Sequence, residues 1–137
     1  MIIYIGGIPK EYSGTFNTDG KDIHREDGPA IIYADSSKFW WNHGKRHRED
    51  GPAVEYPNGT KQWWVNGELH REDGPAIENP NGDRYWYING KRHREDGPAV
   101  MTADHNEWWL NGKKYFLTDF LKQLPEEEAI LVALEWK

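Results

Sequence analysis

HREDGPA fills residues 24–30, 47–53, 70–76 and 93–99, four unchanged copies whose histidines each stand 23 residues after the last. A fixed period in this range marks stacked supersecondary units, each too small to bury its apolar face without its neighbours. Written from the histidines, the units are HREDGPAIIYADSSKFWWNHGKR, HREDGPAVEYPNGTKQWWVNGEL, HREDGPAIENPNGDRYWYINGKR and HREDGPAVMTADHNEWWLNGKKY. Within a unit, Pro57-Asn58-Gly59 or Pro80-Asn81-Gly82 separates two extended stretches, and Asn-Gly supplies the positive φ that tight hairpins require. A second turn follows the aromatic run at His43-Gly44, Asn66-Gly67, Asn89-Gly90 and Asn111-Gly112. The fourth unit is one residue shorter in its first turn, a change that turns tolerate and buried registers do not. The expected fold is mainly β: a single elongated, twisted antiparallel sheet of stacked β-hairpin repeats, a solenoid, over residues 24–115.

Both flanks read as caps. In residues 1–23, Ile3-Tyr4-Ile5-Gly6-Gly7 matches Trp86-Tyr87-Ile88-Asn89-Gly90, so this segment is expected to be a degenerate half repeat that starts the stack. Residues 116–137 change language to leucine, glutamate and alanine, with Thr118 placed to cap one short helix and Pro125 to begin a second. Phe120, Leu121, Leu124, Ile130, Leu131, Leu134 and Trp136 give these helices an apolar side that covers the open end of the last hairpin. The alternative use of the tail is docking on a partner or on a second copy, as a homo-oligomer.

Composition narrows the function. Apolar residues make up 36% and aromatics 14%, with eight tryptophans, so burial relies on a few large rings. Seventeen basic against twenty-three acidic residues give a formal charge of −6, which argues against broad nucleic-acid contact or an anionic membrane. The absence of cysteine excludes disulfides and thiolate metal sites. MIIYIGGIPKEYSG has no signal-peptide pattern, and no segment approaches the ~18 apolar residues of a membrane span, so a soluble cytoplasmic protein is expected.

Histidine beside arginine and two acids could act in catalysis, but catalysis needs unlike groups converging in one pocket, and this pattern sets like groups in rows. With two strands per unit about 4.8 Å apart, equivalent histidines stand about 9 to 10 Å from one another and cannot share a metal ion. A pair within one unit, such as His47 with Asp50, offers too few ligands, and the three serines (Ser13, Ser36, Ser37) mark no nucleophilic centre. No catalytic residue, metal or cofactor is therefore expected. Structurally, Gly28, Gly51, Gly74 and Gly97 let the chain turn sharply before proline, Asp27, Asp50, Asp73 and Asp96 accept from turn amides, and arginine and glutamate of adjacent copies form a ladder of ion pairs.

The aromatic pairs carry the binding hypothesis. Adjacent strand residues face opposite ways, which separates Trp40, Trp63, Trp86 and Trp108, expected on the inner surface, from Trp41, Trp64, Tyr87 and Trp109, with Tyr4 at their head. This second row, with Tyr85 beside it and Arg48, Arg71 and Arg94 along the motif edge, is the candidate surface for a ligand or partner. The structural alternative is that both rows of rings only shield a thin sheet.

From NGKRHREDGPAVMTADHNEWWLNGKK the chain resembles MORN repeats, and more closely the MORN-like proteins of large bacteriophages that carry HREDGPA and WWxNG runs; the resemblance covers about residues 1 to 115. It departs from the usual MORN pattern after the histidine, where Arg-Glu-Asp-Gly replaces a closer glycine, so lipid contacts are not carried over. The resemblance implies a scaffold or protein-binding role, with a viral source implying an accessory protein acting on a host system, including defence. The expected function is a non-catalytic binder that occludes a host protein in the cytoplasm, without cofactor. A nucleotide or small-molecule sponge, with rings on bases and Arg48, Arg71 or Arg94 on phosphate, is the second reading, and a hydrolase using a His-Asp pair the third.

Overall fold

The computed structural model describes residues 23–25 and 28–136, and the backbone of 9–12. Among these, a ten-stranded antiparallel sheet runs in the order Pro9–Tyr12, Ile31–Tyr33, Lys38–Phe39, Val54–Glu55, Lys61–Gln62, Ile77–Glu78, Arg84–Tyr85, Val100–Met101, Asn106–Leu110, Lys113–Tyr115. Each repeat thus adds one hairpin. Pro9–Tyr12, from the expected half repeat, pairs with Ile31–Tyr33; Tyr4 lies outside the described residues.

The registers repeat and give the sheet two different faces. Ile31, Phe39, Val54, Gln62, Ile77, Tyr85 and Val100 lie opposite one another strand after strand. Ile23, Ala30, Ile31, Phe39 and Val54 form a buried cluster along this row, and the motif alanines Ala53, Ala76 and Ala99 are wholly buried. Offset by one residue, Lys38, Glu55, Lys61, Glu78 and Arg84 lie opposite one another with alternating sign. Cross-strand pairs of this kind contribute about 0.2–1 kcal/mol each. The charges thus alternate in register across the sheet, while the ion pairs of Glu55 and Glu78 are made to Arg48 and Arg71 of their own units.

Beyond the sheet each aromatic run continues into a two-stranded ribbon: Trp41–Asn42 with Lys45–Arg46, Trp64–Val65 with Glu68–Leu69, and Tyr87–Ile88 with Lys91–Arg92. Trp40, Trp63 and Trp86 sit at the break between sheet and ribbon. Their N–H groups donate to Ala53, Ala76 and Ala99 of the following unit, and their carbonyls accept from His47, His70 and His93. Successive ribbons are tied by Gly67 N–H to the Arg46 carbonyl, Gly90 to Leu69 and Gly112 to Arg92.

The two turns of a unit solve different problems. In the ribbon turns both central residues have positive φ, as at Asn66 (50°) and Gly67 (80°), which matches the right-handed twist of a two-residue hairpin. In Pro57-Asn58-Gly59 only the glycine does, at 97°; Asn58 instead accepts the Thr60 N–H on its side chain. This is a type I turn closed by a left-handed residue. In the first unit Ser36 takes that place at 75°.

The tail forms α1, Leu117–Lys122, and α2, Glu126–Glu135. Thr118 lies inside α1, not at its cap: Phe116 holds the N-cap position and makes no side-chain cap bond. Pro125 immediately precedes α2, as expected. Of the expected apolar side, Phe120 is buried against the last strands, but Ile130, Leu131 and Leu134 are 53%, 66% and 69% exposed. The buried position of α2 is Val132. Val132 and Trp136, four apart and therefore on one helix face, are the anchors, which turns Ile130, Leu131 and Leu134 elsewhere. No helix among the described residues is long and apolar enough to cross a membrane.

A non-glycine residue in the left-handed region costs about 1–3 kcal/mol. Ser36→Gly is therefore expected to raise unfolding free energy in urea by about 0.5–1 kcal/mol, and Gly59→Ser to lower it by a similar amount. Opposite signs at the two sites are the check.

Candidate functional site

The HREDGPA loop is organised around its arginine. The guanidinium carbons of Arg48, Arg71 and Arg94 lie 4.0, 3.8 and 4.0 Å from the ring centres of Trp40, Trp63 and Trp86, the tryptophans of the preceding unit. Each Nε donates to the aspartate two residues on, at 2.8–3.0 Å, and each Nη1 to the proline carbonyl four residues on, at 3.0–3.1 Å. Arg71 adds Glu78 at 3.1 Å. The other side of the guanidinium meets glycine: a Cβ on Gly51, Gly74 or Gly97 would stand 2.9, 2.9 or 2.8 Å from the Arg ζ carbon. These glycines are thus needed for close approach, and not for the backbone freedom expected of them. The aspartates likewise serve arginine instead of turn amides.

Histidine fastens the start of each unit to that unit's ribbon turn. Nδ1 of His47, His70 and His93 accepts the N–H of Asn66, Asn89 and Asn111, each at 3.0 Å. An accepting Nδ1 places the proton of the neutral ring on Nε2, which faces Glu49, Glu72 or Glu95 at 3.5–3.6 Å. His47 and Asp50 do not pair: the aspartate is bonded to Arg48. The arginine–glutamate contacts of the motif are also made within a unit and not between adjacent copies.

This geometry sorts the motif by sign. The arginine side chains are 16–24% exposed and the histidines 12–17%, whereas the glutamates and aspartates of the three later copies are 64–88% exposed. The solvent therefore meets two carboxylates per unit. Reading the residues in sequence missed this, because loop residues follow no alternation that tells inside from outside; the glycine three residues after each arginine was the available signal.

The rings of Trp41, Trp64, Tyr87 and Trp109 are half-buried. Trp41 and Trp64 pack against the buried cluster, which reverses the faces expected for the two rows. Arg46 lies 5.1–5.7 Å from the rings of Phe39, Trp41 and Trp64. Arg92 lies 5.0 Å from Trp109 and donates to the Tyr87 hydroxyl. Tyr85 stands in the core row opposite Ile77 and Val100. Trp64 donates from Nε1 to Gln62, and Trp109 to Glu107. Burial works to raise the Glu107 carboxyl, but hydrogen bonds from His105 and Trp109 and the charges of Lys114 and Arg92 outweigh it and hold the group below the ordinary range.

Among the described residues, open grooves run beside the motif loops, and two of them are equivalent. One, of about 600 Å³, lies between the first and second loops over Trp40 and Asn42. The other, of about 890 Å³, lies between the third and fourth over Trp86 and Ile88, with α2 as an added wall. The protein is thus of the hairpin-repeat β class, with cations turned inward and carboxylates outward. Compared with known protein families, curated proteins and solved structures, the chain matches none.

Two outcomes test the clamp and its surroundings. Arg71→Ala is expected to cost about 2–3 kcal/mol from the lost ring contact and charged hydrogen bonds. Gly74→Ala is expected to cost about 1–2 kcal/mol alone but under about 0.5 in the Arg71→Ala background, a coupling read by a double-mutant cycle in urea. The depressed Glu107 contributes stability that is present above the ordinary glutamate range and lost as pH falls through its lower folded value, so Glu107→Gln should flatten the acid limb of stability against pH.

Proposed function

We propose that this chain is a non-catalytic protein-binding scaffold, a MORN-like solenoid that recognises its partner through the carboxylate edge of its HREDGPA loops. The observation that carries this reading is the sorting of the motif: Arg48, Arg71 and Arg94 are held on tryptophan and backbone carbonyls, while Glu49, Glu72 and Glu95 face solvent. A row of like charges at regular spacing raises association rates and selects register, which suits a partner with a basic surface. Resemblance to phage proteins supports a host protein in the cytoplasm, including one of host defence, as that partner, with occlusion as the mechanism.

The nucleotide-sponge reading has less support, because the faces of Trp40, Trp63 and Trp86 already carry the chain's own guanidinium groups and the edge presents carboxylates to any phosphate. A hydrolase reading would need the histidine lone pair, which at Nδ1 is already used by a backbone N–H.

Affinity capture from host lysate by the wild type and by a Glu49→Gln, Glu72→Gln, Glu95→Gln variant tests the proposal. These side chains are exposed, so the variant is expected to fold with unchanged stability and to lose the captured partner. A partner retained equally by both proteins would overturn the carboxylate edge as the recognition surface.

A further inference from the structure

The two grooves occupy equivalent positions two repeats apart, with Trp40 and Asn42 in one replaced by Trp86 and Ile88 in the other. Only the larger is walled by α2, which supplies Leu131, Val132 and Glu128. We infer that the larger groove is a docking site for a cationic amphipathic segment of another protein, its apolar side on Ile88 and Leu131 and its lysines or arginines on Glu72, Glu95 and Glu128. The inference rests on the protein-binding reading and names the place and chemistry of that contact.

Charge complementarity selects the occupant. Five carboxylates line the groove against two guanidinium groups, and both of the latter are committed: Arg71 to Asp73 and Glu78, Arg94 to Asp96. Glu72 and Glu95 face a histidine Nε2 at 3.6 and 3.5 Å, a pairing that leaves most of each carboxylate in water. A negatively charged ligand is disfavoured there, and so is the α2 of a second copy, which begins Glu126-Glu127-Glu128.

The apolar half is equally specific to this groove. Leu131 is 66% exposed although it borders the groove, and Ile88 replaces the polar Asn42 of the upstream copy. The chain's own tail already shows that this edge accepts a helix. Trp136 places its ring 5.6 Å from Arg94 and donates to the Asp96 carbonyl, and Val132 is buried beside it. A helix in groove reads out apolar positions three and four apart, and a basic opposite face would meet the carboxylates that α2 itself cannot satisfy.

The test is a fluorescence-anisotropy titration of the full chain with a labelled amphipathic leucine/lysine peptide, and with its leucine/glutamate counterpart. The lysine peptide is expected to bind saturably and the glutamate peptide not to bind. Glu72→Gln, Glu95→Gln and Glu128→Gln together are expected to weaken binding about tenfold or more, and Leu131→Ser about threefold to tenfold. A control with the same loss of charge elsewhere, Asp104→Asn, Asp119→Asn and Glu126→Gln, is expected to change it less than about twofold. Equal weakening by the two triple variants, equal binding of the two peptides, or no saturable binding would each overturn the groove. If capture from lysate depends on the carboxylate edge while the peptide fails, the scaffold reading stands and the groove inference alone falls.

Discussion

The guanidinium groups of Arg48, Arg71 and Arg94 are the side-chain contact that fixes each later HREDGPA loop to the repeat before it. The flat face of each needs an aromatic ring on one side and a backbone without a side chain on the other, and Trp40 with Gly51, Trp63 with Gly74 and Trp86 with Gly97 provide that slot. The ring belongs to one unit and the glycine to the following one, so the stack cannot form until two units are in register. Lysine would not replace arginine here, because a compact ammonium has neither the flat face nor the fork that reaches the aspartate and the proline carbonyl together. The arginine, aspartate, glycine and proline of the motif follow from this single geometry.

Hairpins, ribbon turns and repeat boundaries were legible in the sequence because each depends on a local rule. Asn66-Gly67 and its equivalents take the left-handed pair of angles that their identities favour, whatever packs around them. Side-chain direction in the HREDGPA loop was not legible, since it is decided by a tryptophan eight residues upstream of the arginine and by backbone carbonyls. For the same reason Trp40, Trp63 and Trp86 could not be placed from alternation alone: the strand breaks at them, and the ring turns to the motif edge while Trp41 and Trp64 face the buried cluster. In α2 the apolar residues outnumber the positions the short contact can bury, so the anchor pair Val132 and Trp136 decided the face.

The charge sorting changes how the formal −6 should be read. A motif with one arginine and two acids looks nearly balanced as letters. Once the arginine is held on a ring and its donors are consumed inside the unit, solvent meets the acids alone. Repeats stand about 9–10 Å apart, close to the Debye length of about 8 Å at physiological salt, so adjacent loops reinforce one another while distant ones are screened. The edge therefore acts as a short-range, directional field.

Alternating charges across the sheet face oppose any similar field there. Lys38, Glu55, Lys61, Glu78 and Arg84 alternate in sign by register, and Glu55 and Glu78 also meet Arg48 and Arg71. The molecule thus places charge in two settings: alternating in sign across the strands, and as solvent-exposed carboxylates on the loops. That separation needs the period of the repeat to be an integer number of hairpins, since a single-residue slip would carry the lysine–glutamate ladder to the core row and the apolar row to solvent. The one-residue deletion in the fourth unit is consistent with this demand, because it falls in the Thr102–His105 turn and leaves Val100 opposite Glu107 and Met101 opposite Asn106. Constancy of register, more than constancy of sequence, is what keeps the carboxylates in line.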